Sequence, residues 1–193
     1  MTSKNDRRVL IYLHGFNSSS QSVKAQQLRQ HYQQIGQESN YLCPDLPWQP
    51  SLAIALLEKL LTQHAAQDVR LMGSSLGAWY ATLLSQRHNV RAILLNPAVH
   101  PHRLLHPALG EQTNYSNGKQ YIFTREHLDE LEALDLTGLQ HPEQLLVLLE
   151  TGDTTLDYRE AQQFYAGSRQ IIEPGGSHAC QSFLRHLPTL LSF

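Results

Sequence analysis

The sequence contains little cysteine and no cysteine spacing that indicates a metal site. Its 193 residues include only two cysteines, Cys43 and Cys180, which are far apart and form no CxxC motif. Two separated thiols give no disulfide framework and are more typical of a reducing compartment. Of the 11 histidines, His100 and His102 form the tightest pair, but no cysteine or acidic cluster adjoins them, so we expect no metal site.

Strong charge and long apolar runs are also missing. The formal net charge is -2, which gives no electrostatic reason to expect nucleic acid or an anionic membrane surface as a partner. No apolar stretch approaches the length of a membrane span, and the start, MTSKNDRRVLIYLHG, contains no run of signal-peptide length. With 41% hydrophobic residues the sequence predicts a globular, cytoplasmic protein without a membrane span.

Short apolar runs alternate with segments of helical periodicity along the chain. Strands are predicted at residues 9–13, 41–43, 69–72, 90–95, 145–149 and 170–172, with helices between them. This alternation predicts one α/β domain over residues 1–193, with about six mostly parallel strands and helices on both faces. The segment of about residues 100–142 is irregular apart from one modest helix, and we interpret it as a short lid-like insertion.

The stretch LMGSSLG, residues 71–77, contains two adjacent serines between a predicted strand and a predicted helix. Centred on Ser75, it is a Gly-x-Ser-x-Gly motif, whereas the frame centred on Ser74 has methionine and leucine at the two outer positions. Those positions must be small because a sharp strand-to-helix turn brings them into contact, which favours Ser75 as a nucleophile. The structural alternative is a glycine turn capped by a serine.

A serine nucleophile needs a base and an acid, which in this type of fold follow later strands in the order Ser, Asp, His. The glycine-rich stretch EPGGSH after the last predicted strand ends in His178. The stretch TGDTTLDYRE after the preceding strand offers Asp153 and Asp157. Because Asp157 with Glu160 resembles a helix capping box, we assign Asp153 as the acid and keep Asp157 as the alternative.

The oxyanion hole of such an enzyme is made of two backbone N–H groups. One is expected from Leu76, the residue after the nucleophile, at the start of a helix. The other is expected from the loop after the first strand, where His14, Gly15 and Phe16 occur and the Phe16 N–H is the predicted donor.

Six segments of the sequence resemble one family. They are YLHGFNSS, PDLPW, GSSLGAWYATLLS, LNPAVHP, TGDTTLDYREA and GGSHA, and in this order they are similar to the YqiA-type small bacterial esterases of the α/β-hydrolase superfamily. The resemblance covers nearly the whole chain and implies a compact α/β-hydrolase fold. It implies a bacterial, cytoplasmic serine esterase that acts on acyl esters, with acyl-CoA thioesters included. It also implies Ser75, Asp153 and His178 as the catalytic triad.

We therefore predict a serine carboxylic-ester hydrolase that works through an acyl-enzyme intermediate, needs no metal or organic cofactor, and takes a small-molecule ester or thioester. The triad does not distinguish esters from thioesters or amides. The alternative from another class is a catalytically inactive hydrolase-fold binding protein. Tyr115, Tyr121 and Phe123 either line an acyl pocket or pack the loop that contains them, and Trp48 is a further candidate for the rim.

Overall fold

A six-stranded sheet lies at the centre of the computed structural model, which describes residues 8–193. The first seven residues lie outside the described residues. The predictions of a single domain over residues 1–193 and of no signal peptide both include them. In chain order the strands are β1 (Arg8–Leu13), β2 (Tyr41–Leu42), β3 (Asp68–Ser74), β4 (Arg91–Leu95), β5 (Gly110–Thr113), β6 (Gln120–Phe123), β7 (Leu145–Glu150) and β8 (Arg169–Glu173).

Seven α-helices occur within the described range. In chain order they are α1 (Val23–Gln34), α2 (Pro50–Gln63), α3 (Leu76–His88), α4 (Pro101–Leu104), α5 (Arg125–Ala133), α6 (Tyr158–Phe164) and α7 (Phe183–Ser192). Helix α7 contains Pro188 in its interior. Among residues 8–193, no helix has both the length and the apolar character needed to traverse a bilayer.

The central sheet has the strand order β2-β1-β3-β4-β7-β8, and every neighbouring pair in it is parallel. The chain leaves β1 toward β2 on one side and later enters β3 on the other side. Ligands of open parallel sheets bind outside the carboxyl ends of the strands at such a reversal. The strand order therefore predicts a ligand site at the loops after β1 and β3.

Two apolar layers enclose the sheet. Because side chains alternate along a strand, Val9 and Ile11 of β1 pack toward α2, α3, α5 and α6, whereas Leu10 and Tyr12 pack toward α1 and α7. All of these strand residues are buried. The continuous apolar runs that predicted the strands thus reflect burial on both faces of the sheet, which is typical of parallel sheets.

The segment of residues 100–142 differs from its sequence-based interpretation. Besides the predicted helix, which is α5, it contains the short helix α4 and an antiparallel hairpin made of β5 and β6. The prediction of one helix in an otherwise irregular segment was therefore wrong. Earlier in the chain, Ile35 directly follows α1 and is 49% exposed.

Candidate active site

Ser75 occupies a strained turn between β3 and α3. Its φ is 55° and its ψ is -120°, a backbone conformation that residues with a Cβ rarely adopt. The two flanking glycines are required by close backbone contacts. A Cβ at Gly73 would collide with the backbone of Gly77, and a Cβ at Gly77 would collide with the carbonyl of Leu13 in β1. The frame centred on Ser75 therefore has a steric basis in the fold.

Three side chains from three loops meet at the carboxyl edge of the sheet. His178 Nε2 lies 3.1 Å from Ser75 Oγ, and His178 Nδ1 lies 2.7 Å from Asp153 Oδ2. A carboxylate at Nδ1 favours the tautomer with its proton there, which leaves Nε2 free to accept the Ser75 hydroxyl proton. The Asp153 side chain is 2% exposed, whereas that of His178 is 31% exposed. The imidazole is thus accessible while its carboxylate partner is shielded from water.

The two aspartates after β7 have different environments. Asp153 Oδ1 accepts hydrogen bonds from the N–H groups of Thr155 and Leu156, at 2.8 and 2.9 Å, while its Oδ2 faces His178. Asp157 is the N-cap of α6 and accepts a hydrogen bond from the Arg159 N–H at 2.9 Å. The fold therefore places Asp153 beside the imidazole and gives Asp157 the capping position expected from its sequence context.

The loop after β1 lies directly against Ser75. A Cβ at Gly15 would come within 3.4 Å of the Ser75 Cβ, so glycine permits the close approach of this loop. Leu76 is the first residue of α3, where backbone N–H groups have no intrahelical acceptor. Within residues 8–193, neither the Phe16 nor the Leu76 N–H donates to another backbone carbonyl. Both predicted donors are therefore free to bind an oxyanion.

His14 is a site residue whose role could not be assigned from the sequence. It is buried, its Nδ1 lies 2.9 Å from the Gly15 carbonyl oxygen, and its Nε2 accepts from the Leu46 N–H at 2.9 Å. Since Nε2 is an acceptor, Nδ1 carries the proton and donates. Burial lowers the pKa of His14, although the Gly15 carbonyl and Asp45 partly oppose this. In a trans peptide the Gly15 C=O and the Phe16 N–H point in opposite directions, so holding one orients the other.

A cavity of about 690 Å³ opens beside Ser75 and His178. This volume lies within the range of about 300–1,000 Å³ that is usual for small-molecule sites. Its walls are largely apolar, with contributions from α4 and α7 such as Leu104 and Phe183, and Lys24 of α1 also faces it. Among residues 8–193, no aspartate or glutamate lines it. The cavity can therefore hold an apolar group next to Ser75.

The aromatic residues considered for an acyl pocket do not line this cavity. Tyr121 and Trp48 stack at 4.9 Å and line a smaller cavity of about 300 Å³ on the other side of the loop after β1. Phe123 is buried against Phe16 with ring centroids 5.3 Å apart, and Tyr115 is 83% exposed. Phe123 thus packs against Phe16, in the loop after β1.

The histidine pair of the sequence acquires an acidic neighbour through folding. His100 Nδ1 lies 2.7 Å from Asp135 Oδ2, and His102 Nδ1 lies 3.6 Å from the same oxygen. Among the residues that the structure describes, no group of three or more His, Cys, Asp or Glu side chains is arranged to hold a metal ion. The contact joins the start of α4 to the end of α5.

Solved structures with the same architecture define the fold class. A protein from Agrobacterium vitis S4 with a provisional hydrolase designation matches with a TM-score of 0.73 at 18% identity, over 97% of this chain and 89% of its own. Alpha/beta hydrolase domain-containing protein 10 from mouse matches with a TM-score of 0.69 at 15% identity, over 95% and 89%. An esterase from Pyrococcus furiosus matches with a TM-score of 0.60 at 15% identity, over 97% and 79%. The chain has the α/β-hydrolase fold.

A protein-family model gives the narrower assignment. The model of the uncharacterised protein family UPF0227 matches residues 9–193, and the chain therefore belongs to this family. The match confirms the YqiA-type resemblance predicted from the six sequence segments.

Proposed function

We propose that this protein is a serine hydrolase of carboxylic acyl esters, with acyl-CoA thioesters as further substrates, that acts in the bacterial cytoplasm. The observation that carries the proposal is the chain of contacts from Asp153 through His178 to Ser75, with distances of 2.7 and 3.1 Å. It lies at the mouth of an apolar cavity. The esterase and hydrolase neighbours in fold support a hydrolytic function in general. A stable fold alone does not require these three polar groups to meet.

The first half-reaction transfers the acyl group to the enzyme. His178 Nε2 removes the proton from Ser75 Oγ, which attacks the carbonyl carbon of the substrate. The carbonyl oxygen becomes an oxyanion that accepts hydrogen bonds from the Phe16 and Leu76 N–H groups. The tetrahedral intermediate then collapses, and the alcohol or thiol leaves with the proton from His178. Asp153 stabilises the imidazolium that forms between these steps.

The second half-reaction releases the acid. His178 takes a proton from a water molecule, which attacks the acyl-enzyme carbonyl in the same oxyanion hole. Collapse of the second intermediate returns the proton to Ser75 Oγ and frees the carboxylic acid. Every proton transfer uses the same imidazole nitrogen, so its distance from Ser75 governs both halves. The chemistry proceeds with side chains and backbone groups of this chain alone.

Reaction with a fluorophosphonate probe tests the proposal directly. We expect one adduct, located on Ser75 by peptide mass spectrometry, and no adduct in Ser75→Ala. Asp153→Asn should slow labelling by about 10³- to 10⁴-fold, because the imidazole loses the carboxylate that sets its tautomer. Asp157→Asn is the matched control and should label within about twofold of the wild-type rate, because asparagine is an equally good helix N-cap.

Two results would contradict the proposal. Folded wild-type protein without an adduct would favour the inactive binding protein, and slow labelling of Asp157→Asn instead of Asp153→Asn would reassign the acid. Hydrolysis of a series of p-nitrophenyl esters and acyl-CoA thioesters would then define the leaving group and the chain length, which the triad does not select.

A further inference from the structure

We propose that Glu150 is a positioning residue, whose buried carboxylate holds the loop that carries His178 at hydrogen-bonding distance from Ser75. Glu150 is the last residue of β7 and is completely buried. It does not touch the nucleophile and acts through the backbone on both sides of His178. The inference rests on the proposed function only in that it assigns His178 as the base.

The hydrogen bonds of the Glu150 carboxylate lead to the loop between β8 and α7. Its Oε2 accepts the Ser177 N–H at 2.6 Å, immediately before His178 in the chain. Its Oε1 accepts the Ser182 N–H at 2.5 Å and the Ser182 hydroxyl at 2.6 Å, just before α7 begins. One side chain thus binds both ends of a six-residue stretch that has His178 as its second member. Such a contact fixes where the imidazole can lie.

The loop would not hold this shape by local preference. Gly175, Gly176 and Cys180 have φ values of 75°, 73° and 54°, and the cysteine adopts this conformation at a cost because it has a side chain. A Cβ on Gly176 would overlap the Glu150 carboxylate. The loop is therefore built around Glu150, with glycine at the point of closest approach.

Asn96, in the turn after β4, completes the arrangement. Its Nδ2 donates to the Ser177 carbonyl oxygen at 2.9 Å, and its Oδ1 accepts the Glu150 N–H at 2.9 Å. The peptide groups before and after Ser177 are consequently both held, one by Glu150 and one by Asn96. His178 follows directly, so little rotational freedom is left at its backbone.

The carboxylate is kept in its charged form. Burial raises the pKa of Glu150, but the hydrogen bonds from the Ser182 hydroxyl and from the Ser182, Ser177 and Gln181 N–H groups outweigh it, and the pKa lies below its usual value. A buried charge is costly, and an apolar side chain would continue the run of leucines in β7 without that cost. A role in placing His178 explains why a carboxylate occupies this position.

Glu150→Gln tests the inference, with Glu173→Gln as the matched control. Glutamine keeps the size of the side chain but turns an NH₂ group toward the N–H donors of the loop. Glu173 is the corresponding last residue of β8 and pairs with Arg185 and His186 of α7, away from the imidazole. For p-nitrophenyl ester hydrolysis, Glu150→Gln should lower kcat by about 10- to 100-fold with KM within about twofold, because a small displacement of the base slows only the chemical step.

A second readout does not depend on turnover. The His178 Nδ1 proton, hydrogen-bonded to Asp153, should give a far-downfield proton NMR resonance, assigned by its loss in His178→Asn. We expect this resonance to shift or broaden in Glu150→Gln and to stay unchanged in Glu173→Gln. Ser182→Ala removes only the hydroxyl contact and should lower kcat by about tenfold or less, in the same direction.

Each outcome supports or overturns the inference. Folded Glu150→Gln with wild-type kcat and an unchanged His178 resonance would overturn it, as would equal losses in Glu173→Gln. If Glu150→Gln does not fold, Ser182→Ala decides: a lower kcat with a shifted resonance supports the inference, and wild-type values overturn it. If the wild-type protein hydrolyses no ester, the proposed function fails, and the resonance alone still decides the role of Glu150.

Discussion

Ser75 shares a positive φ with several other residues at the carboxyl edge of the sheet. Asn17, in the loop after β1, has a φ of 54°. Asn96, which binds the loop that contains His178, has a φ of 40°, and Cys180 within that loop has a φ of 54°. Such conformations cost roughly 1–3 kcal/mol each and persist only where surrounding contacts enforce them. Backbone strain is therefore concentrated at the residues that position the candidate active site.

The two thiols provide a prediction about single residues. Burial raises the pKa of Cys180 to about 12, with Glu150 and Asp153 adding to the effect and Lys24 opposing it, and burial raises the pKa of Cys43 to about 11. The thiolate is the reactive form, so neither cysteine should react readily. We expect iodoacetamide at pH 8 to leave both unmodified in the native protein and to modify both in urea, as measured by intact mass. Rapid alkylation of native Cys180 would contradict the prediction.

At the scale of elements, the hairpin of β5 and β6 contacts the loop after β1 through Asn17. Asn17 Nδ2 donates to Gln112 Oε1 at 2.8 Å, the Tyr121 hydroxyl donates to Asn17 Oδ1 at 2.5 Å, and the Tyr115 N–H donates to the Asn17 carbonyl oxygen at 2.9 Å. Phe16, the predicted oxyanion donor, immediately precedes Asn17. The segment interpreted as a lid is thus connected to the loop after β1, which contains the predicted oxyanion donor.

Removal of the Asn17 side chain tests this connection. Asn17→Ala loses two hydrogen bonds to the hairpin and puts alanine at a positive φ, so the Phe16 N–H should lose its fixed direction. We expect kcat for p-nitrophenyl esters to fall by about 10- to 100-fold, somewhat less than the loss of an entire oxyanion donor. Thr113→Ala, at an exposed position of β5, is the matched control and should keep the wild-type kcat. An unchanged kcat in Asn17→Ala would show that the contacts between Asn17 and the hairpin do not affect catalysis.

The elements differ in how far their sequence predicts them. Strand β7 is buried on both faces and therefore reads as a continuous apolar run, and the glycines around Ser75 reflect close contacts within the turn itself. Strand β5 has the sequence GEQT, with no apolar residue, so no pattern marks it. The hairpin is held by Asn17, about a hundred positions away in the chain. Contacts of this kind become visible only in three dimensions, as does the link from Glu150 to the loop of His178.

On the scale of the whole molecule, two buried groups contribute to how stability depends on pH. His14 is neutral in the folded protein, because burial lowers its pKa below the ordinary value of 6.5. Glu150 is charged, because its hydrogen bonds outweigh burial and lower its pKa below 4.5. Both groups bind a proton more readily in the unfolded chain than in the folded one. Stability must therefore fall as the pH falls, first through His14 below 6.5 and then through Glu150 below 4.5.

Urea unfolding between pH 7.5 and pH 5.5, compared between the wild type and His14→Gln, isolates the contribution of His14. As the pH drops below 6.5, the unfolded chain takes up a proton that the folded protein excludes, and the free energy of unfolding should decrease by up to about 1.4 kcal/mol per pH unit from this group. The variant His14→Gln lacks the titrating ring. It should be less stable than the wild type at pH 7.5, because the contacts to Gly15 and Leu46 are weakened, but it should lose less stability on acidification. Parallel decreases in the two proteins would mean that His14 titrates alike in both states. A shallower decrease in His14→Gln would show that the folded protein requires a neutral imidazole at His14, where it contacts Gly15 and Leu46.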